Sequence, residues 1–160
     1  MKKAALILFS LTQILYSQWY SQVSGTNYEL RSVYFTDNNT GFITGYNLVL
    51  KTTNAGISWV NNFLRGSHKS ITFIDVNTGF ICSDSGRVYK TTNAGITWNN
   101  LKTGTVNNLN SISFINAYTG ISAGQNKELI KTTDGGESWF SISNFVWQLE
   151  RFSAKLIDEN

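Results

Sequence analysis

The sequence predicts an all-β chain made of four-stranded antiparallel β-propeller blades, three in number and therefore an incomplete or open propeller. Three observations predict it: a fixed internal repeat, period-two alternation of apolar residues inside each unit, and a turn rich in Asn/Asp, Gly and Trp that closes each unit. Lys51-Thr52-Thr53-Asn54-Ala55-Gly56-Ile57-Ser58-Trp59 recurs as Lys90-Thr91-Thr92-Asn93-Ala94-Gly95-Ile96-Thr97-Trp98 and as Lys131-Thr132-Thr133-Asp134-Gly135-Gly136-Glu137-Ser138-Trp139. The tryptophans are 39 and then 41 residues apart, a period that signals stacked supersecondary units.

Each unit opens with Ser32-Val33-Tyr34-Phe35, Ser70-Ile71-Thr72-Phe73 or Ser111-Ile112-Ser113-Phe114. Val33 and Phe35, and their counterparts, alternate with more polar neighbours, as a half-buried strand requires. A polar turn follows, ending in Thr-Gly at Gly41, Gly79 and Gly120. The second strand is Phe42-Ile43, Phe80-Ile81-Cys82 or Ile121-Ser122-Ala123; the third is Leu48 to Thr52, Arg87 to Thr91 or Glu128 to Thr132. The fourth is expected to start near Ile57, Ile96 and Glu137. Four short antiparallel strands per unit make one blade.

The turn between the third and fourth strands has a structural reading. The side chains of Asn54, Asn93 and Asp134 can accept backbone N–H bonds and close an Asx-type turn. Gly56, Gly95 and Gly136 supply a positive φ at no steric cost. The hydroxyls of Thr52, Thr91, Thr132, Ser58, Thr97 and Ser138 can bond within the hairpin. Trp59, Trp98 and Trp139 can each bury about 150 to 250 Å², several kcal/mol per blade at about 25 cal/mol per Å² before entropy is counted. With a neighbour on both sides, the middle blade is expected to make Trp98 the most important of the three.

These copies resemble the Asp-box, or BNR, repeat, and with the Thr-Gly-Phe-like strands the chain resembles the photosystem II assembly and stability factor-like propellers of exported bacterial proteins. The resemblance covers roughly Trp19 to Ser143. It implies the propeller fold and assigns the turn residues to structure, with asparagine in place of the consensus aspartate at Asn54 and Asn93. Asp-box propellers also include sialidases and some glucanases.

Met1-Lys2-Lys3 followed by an apolar run from Ala4 to Tyr16 and then Ser17 reads as a secretory signal peptide over 1–17. The run is too short for a spanning helix, which needs about 20 apolar residues, so a secreted or periplasmic protein is expected. Repeats are placed at about 30–67, 68–108 and 109–143 within a propeller segment 18–143. In the tail, 144–160, Val146, Leu149, Phe152 and Leu156 fall at helical spacing. Without Lys2 and Lys3 the 13 basic residues become 11 against 10 acidic ones, so the pI of 9.0 overstates the basic character. Nothing resembles the clustered Lys/Arg stripe that a nucleic-acid backbone demands. Cys82, the single cysteine, reads as a small buried hydrophobe.

No catalytic constellation is evident. Arg31, Arg65, Arg87 and Arg151 include no three at equivalent repeat positions, as a sialidase's arginine cluster would need, and proline is absent. A glycosidase needs two facing carboxyl groups, whereas Asp84 and Glu128 read as unpaired, solvated surface. Asp37-x-Asn39-x-Gly41 and Asp75-x-Asn77-x-Gly79 lack the later ligands of a calcium loop. His68 reads as a surface-loop residue. The expectation is a non-catalytic binding or scaffold module without cofactor or metal, taking an unknown protein or glycan partner; a fragment of a sialidase-like or other glycan-directed hydrolase is the alternative. Three blades do not close a ring of 4 to 8. Truncation from a longer propeller, or association with copies of the chain or with another chain that covers the open edges, would resolve this.

Overall fold

A computed structural model describes residues 21–142; the signal peptide expected over 1–17 and the helical tail expected over 144–160 lie outside the described residues. Every regular element among the described residues is a strand: β1 (Leu30–Phe35), β2 (Gly41–Thr52), β3 (Val60–Phe73), β4 (Gly79–Ser83), β5 (Val88–Thr91), β6 (Asn99–Leu101), β7 (Leu109–Phe114), β8 (Gly120–Gly124), β9 (Leu129–Thr132) and β10 (Phe140–Ser141). All pairings are antiparallel and join sequence neighbours, in a six-stranded sheet β1 to β6 and a four-stranded sheet β7 to β10.

β2 and β3 each carry two strands of the repeat end to end. β2 pairs with β1 through Gly41 to Gly45 and with β3 through Tyr46 to Lys51, and Asn47, with φ of 58°, sits at the register shift between Tyr46 and Leu48. β3 pairs with β2 near Val60 to Phe63, then with β4 from His68 to Phe73, running directly from one blade into the next. The six-stranded sheet is therefore two blades joined by one continuous strand, and the chain is an open propeller of three described blades. The fourth strands start at Val60, Asn99 and Phe140, after each tryptophan. The expected starts at Ile57 and Ile96 fall instead in the turn, where these side chains are 80% and 70% exposed; the turn's own hydrogen bonds hold the backbone there away from the sheet.

The core lies between blades. Each blade has a leading face, carrying the first-strand Val/Ile and Phe and the tryptophan, and a trailing face, carrying Phe42, Phe80 or Ile121. Phe42 and Val49 of blade 1 pack against Ile71, Phe73, Ile81 and Tyr89 of blade 2. Phe80, Cys82 and Val88 of blade 2 pack against Leu109, Ile112 and Ile130 of blade 3. Phe42 stacks on Phe73 with ring centres 4.4 Å apart, and Phe80 on Phe114 at 4.0 Å. Trp98 meets Phe73 edge-on, as Trp139 meets Phe114, each at 6.1 Å. The ranking expected for Trp98 is revised: Trp98 and Trp139 each seat in a junction, whereas Trp59 lies outside both cores described and meets Phe35 of its own blade edge-on.

A lysine fastens each junction. Lys51 Nζ donates to the Ala94 carbonyl at 2.7 Å while lying 5.5 Å over the Phe42 ring. Lys90 Nζ donates to the Gly135 carbonyl at 2.8 Å, lies 5.7 Å over Phe80 and pairs with Glu137 at 3.3 Å. In both, the lysine of one blade holds the closing turn of the next.

Candidate functional site

The blade ends differ in chemistry. At one end lie the Asp-box turns, which are saturated with their own hydrogen bonds. Thr52 Oγ1 donates to Asn54 Oδ1 at 2.9 Å and accepts from Asn54 N and Gly56 N at 3.2 and 3.0 Å. Asn54 Oδ1 also accepts from Ser58 N at 3.0 Å, and Asn54 Nδ2 donates to Ser58 Oγ at 2.9 Å. Thr91, Asn93, Gly95 and Thr97 repeat this bonding, as do Thr132, Asp134, Gly136 and Ser138. The third copy reverses one bond: Ser138 Oγ donates to Asp134 Oδ2 at 2.5 Å, because a carboxylate can only accept. Those donors hold the Asp134 carboxyl down at about 2, with the Ser138 hydroxyl foremost.

Two successive residues, not one, take positive φ in each turn: Ala55 and Gly56, Ala94 and Gly95, Gly135 and Gly136. At the second, the glycine admits the preceding blade, since a Cβ on Gly95 would stand 2.6 Å from Phe42 Cε1. The threonines of the box are buried and the tryptophans half-buried. The neighbouring turns are closed alike: Asp37 Oδ1, Asp75 Oδ1 and Asn116 Oδ1 each accept two backbone N–H bonds of 2.7 to 2.8 Å. These acceptors are engaged by the turn.

The opposite end carries the side chains that remain available. A cleft of about 460 Å³ opens between blades 1 and 2, lined by Tyr46, Asn47, Arg65, Asp84, Arg87 and Tyr89 among others. Tyr46 is 48% exposed and its ring lies 6.2 Å from that of Tyr28, itself 51% exposed. Gly66 N donates to Asn47 Oδ1 at 2.9 Å, and Tyr89 Oη donates to the Arg65 carbonyl at 3.3 Å, so the floor is tied to both blades. First strands enter this end through a register shift at the same repeat position in every blade, between Leu30 and Ser32, His68 and Ser70, and Leu109 and Ser111. Such bulges re-aim side chains, and Arg31 in the first reaches Ser67 Oγ and, at 2.7 Å, Glu29.

Three residues differ from their sequence-based assignments. His68 is fully buried, not a loop residue: its Nε2 pairs with the Leu64 carbonyl at 2.8 Å, its ring stands edge-on to Tyr89, and Nδ1 has no partner among the described residues. Burial pushes its pKa below the ordinary value. Asp84 and Glu128 are braces rather than solvated surface. Asp84 pairs with Arg87 at 3.1 Å and accepts from Ser83 Oγ, while Glu128 accepts from Thr105 Oγ1 and Asn107 Nδ2 at 2.8 and 2.7 Å. They sit in different blades and are not brought together. Arg65 and Arg87 line one cleft, and Arg31 joins the same end. Cys82 is fully buried, and desolvation pushes its thiol up to about 12, so it is no nucleophile. Among the described residues no group of three His, Cys, Asp or Glu side chains could hold a metal, and no helix is long and apolar enough to cross a membrane.

Residues 17–110, more than half of the chain, match the family described as Photosynthesis system II assembly factor YCF48. The chain belongs to this family. No curated protein sequence matches it. Among solved structures it is similar to YCF48 bound to a D1 peptide, at 19% identity and a TM-score of 0.71, covering 81% of this chain and 44% of that one. It is similar to YCF48 from Cyanidioschyzon merolae at 16% identity and a TM-score of 0.64, covering 73% and 38% respectively. An ancestral GH74 enzyme aligns at 21% identity and a TM-score of 0.63, over 74% of this chain and 19% of the enzyme. The chain thus spans less than half the length of these structures, and at such identities the likeness concerns the fold.

Proposed function

We propose that this chain is a non-catalytic, protein-binding propeller module that takes an extended peptide segment across the cleft between blades 1 and 2. The observation that carries it is the pairing of aromatic and guanidinium groups, Tyr28, Tyr46, Arg65 and Arg87, on a floor held by backbone and side-chain bonds. Tyr and Arg are the side chains that most often anchor protein contacts. A YCF48 structure with a peptide bound is among the relatives in fold, which supports a protein ligand over a small molecule. The start Met1-Lys2-Lys3 with its apolar run supports action outside the cytoplasm.

A glycan-directed second reading is favoured by the GH74 likeness. It requires two carboxyl groups across a scissile bond, and Asp84, the acidic residue lining the cleft, is engaged by Arg87. Selection from a random displayed peptide library, followed by calorimetry, tests the proposal. Enriched peptides should bind the chain and lose at least tenfold in affinity on Tyr46→Ala/Arg65→Ala, with Ile57→Ala at the opposite end as an unaffected control. Failure to enrich any peptide, together with turnover in a fluorogenic glycoside panel, would overturn it.

A further inference from the structure

The two junctions inside the molecule define what a leading face and a trailing face look like when joined, and the described blades leave one of each unjoined. On blade 1 the leading face is open. Val33 is 60% exposed where Ile71 and Ile112 are each 5% exposed, and Phe35 is 45% exposed where Phe73 is 6% exposed. On blade 3 the trailing face carries Ile121, half-buried where Phe42 and Phe80 are fully buried.

The lysines give the sharper sign. Lys51 and Lys90 each hold a turn carbonyl of the following blade. Lys131 stands at the same place in blade 3 with no turn to hold among the described residues, while the Ala55 carbonyl of blade 1 is the repeat counterpart of the Ala94 and Gly135 carbonyls that are held. Each end of the arc thus presents half of an interface that the fold already forms twice.

We infer that two copies of the chain associate head to tail, the leading face of blade 1 in each docking on the trailing face of blade 3 in the other. Val33 and Phe35 then pack beside Ile121, and Lys131 of one copy donates to the Ala55 carbonyl of the second. A contact between unlike faces closes only if the rotation completes a ring. The three described blades of each of two arcs make six, inside the range of 4 to 8 that closed propellers use, whereas those of three arcs would exceed it. Closure also buries the apolar patch that invites aggregation.

The test uses the full chain, size exclusion with light scattering, and two variants. The wild type should run at twice its 17.9 kDa chain mass and dissociate on dilution. Val33→Arg on the leading face and Ile121→Arg on the trailing face should each weaken self-association at least tenfold. The decisive arm mixes them: each variant keeps one intact face, unlike that of the other, so the mixture should regain a dimer that neither forms alone. If Ile121→Arg lowers the melting temperature, Lys131→Glu, at a lysine that holds no turn among the described residues, reads the same face without disturbing the core. A wild type that stays monomeric, a dimer that survives both variants, or a dimer abolished by Val33→Arg but untouched by the trailing-face variants would each overturn the inference; the last pattern means like faces meet.

Discussion

Val33 and Ile71 hold the same place in successive units, the same strand and almost the same side chain, yet Val33 is 60% exposed and Ile71 is 5% exposed. The local backbones match, since each residue pairs within its own blade with an isoleucine of the second strand, Ile43 or Ile81. What differs is the neighbour: Ile71 lies against the trailing face of blade 1, while no described blade precedes Val33. In this architecture hydrogen bonding and turn closure belong to the unit, whereas burial belongs to the junction, and stability divides accordingly into unit and interface contributions.

The tryptophans give the strongest way to break that division. Trp98 and Trp139 pack into the two junction cores, while Trp59 touches Phe35 of its own, exposed face. Trp98→Ala and Trp139→Ala should each cost about 3 kcal/mol, the low end of the range for truncating a large core ring, because both rings are half-buried. Trp59→Ala should cost about 1 kcal/mol, like an ordinary single substitution. Urea melts of the three variants decide it. Three equal losses would mean that the ring stabilises its own hairpin and not the junction.

The turn glycines sharpen the comparison at a smaller magnitude. Gly56 and Gly95 have φ of 86° and 75°, so alanine at either meets left-handed strain of about 1 to 2 kcal/mol. The preceding blade adds to this only at Gly95, where a Cβ would stand 2.6 Å from the Phe42 ring; at Gly56 the nearest atom is 3.5 Å away. Gly95→Ala should therefore exceed Gly56→Ala by a further 1 to 3 kcal/mol or so, the cost of overpacking. Matching melting temperatures for the two would show that the Phe42 ring moves aside.

How far the sequence reveals these features follows the same boundary. The repeat, the closing turns and their Thr, Asn/Asp and Ser/Thr bonds are legible because each bond spans at most four residues. The start of the fourth strand is not, because Ile57 and Ile96 carry strand-like side chains while the turn holds their backbone. His68 reads as surface because polar neighbours surround it in sequence, whereas its burial comes from Tyr89 and the Leu64 carbonyl. The cleft is invisible for a like reason. Arg65 lies in β3 while Tyr46 and Arg87 flank reversals in two different blades, and only the continuous run of β3 from blade 1 to blade 2 assembles them.

The smallest expected effect isolates the unit contribution in the one box that titrates. Asn54 and Asn93 are neutral at every pH, whereas the Asp134 carboxyl is held at about 2, below the ordinary 3.8, by the Ser138 hydroxyl first and then by the Ser138 backbone N–H and Thr132. A carboxyl with a lowered folded pKa adds stability above its unfolded pKa and loses it as pH falls, here from about 3.8 down through about 2. Asp134 is fully exposed, so solvent screens the effect and a shallow slope is expected. Asp134→Asn copies the other two boxes, with the introduced amide donating to the Ser138 hydroxyl, and should leave stability at pH 7 little changed. Its melting temperature should fall less steeply than that of the wild type between about pH 4 and 2. Parallel curves through that window would show that the acid sensitivity resides in Asp37 and Asp75, whose backbone N–H partners also lower their pKa, and that the third closing turn contributes to its blade just as the first two do.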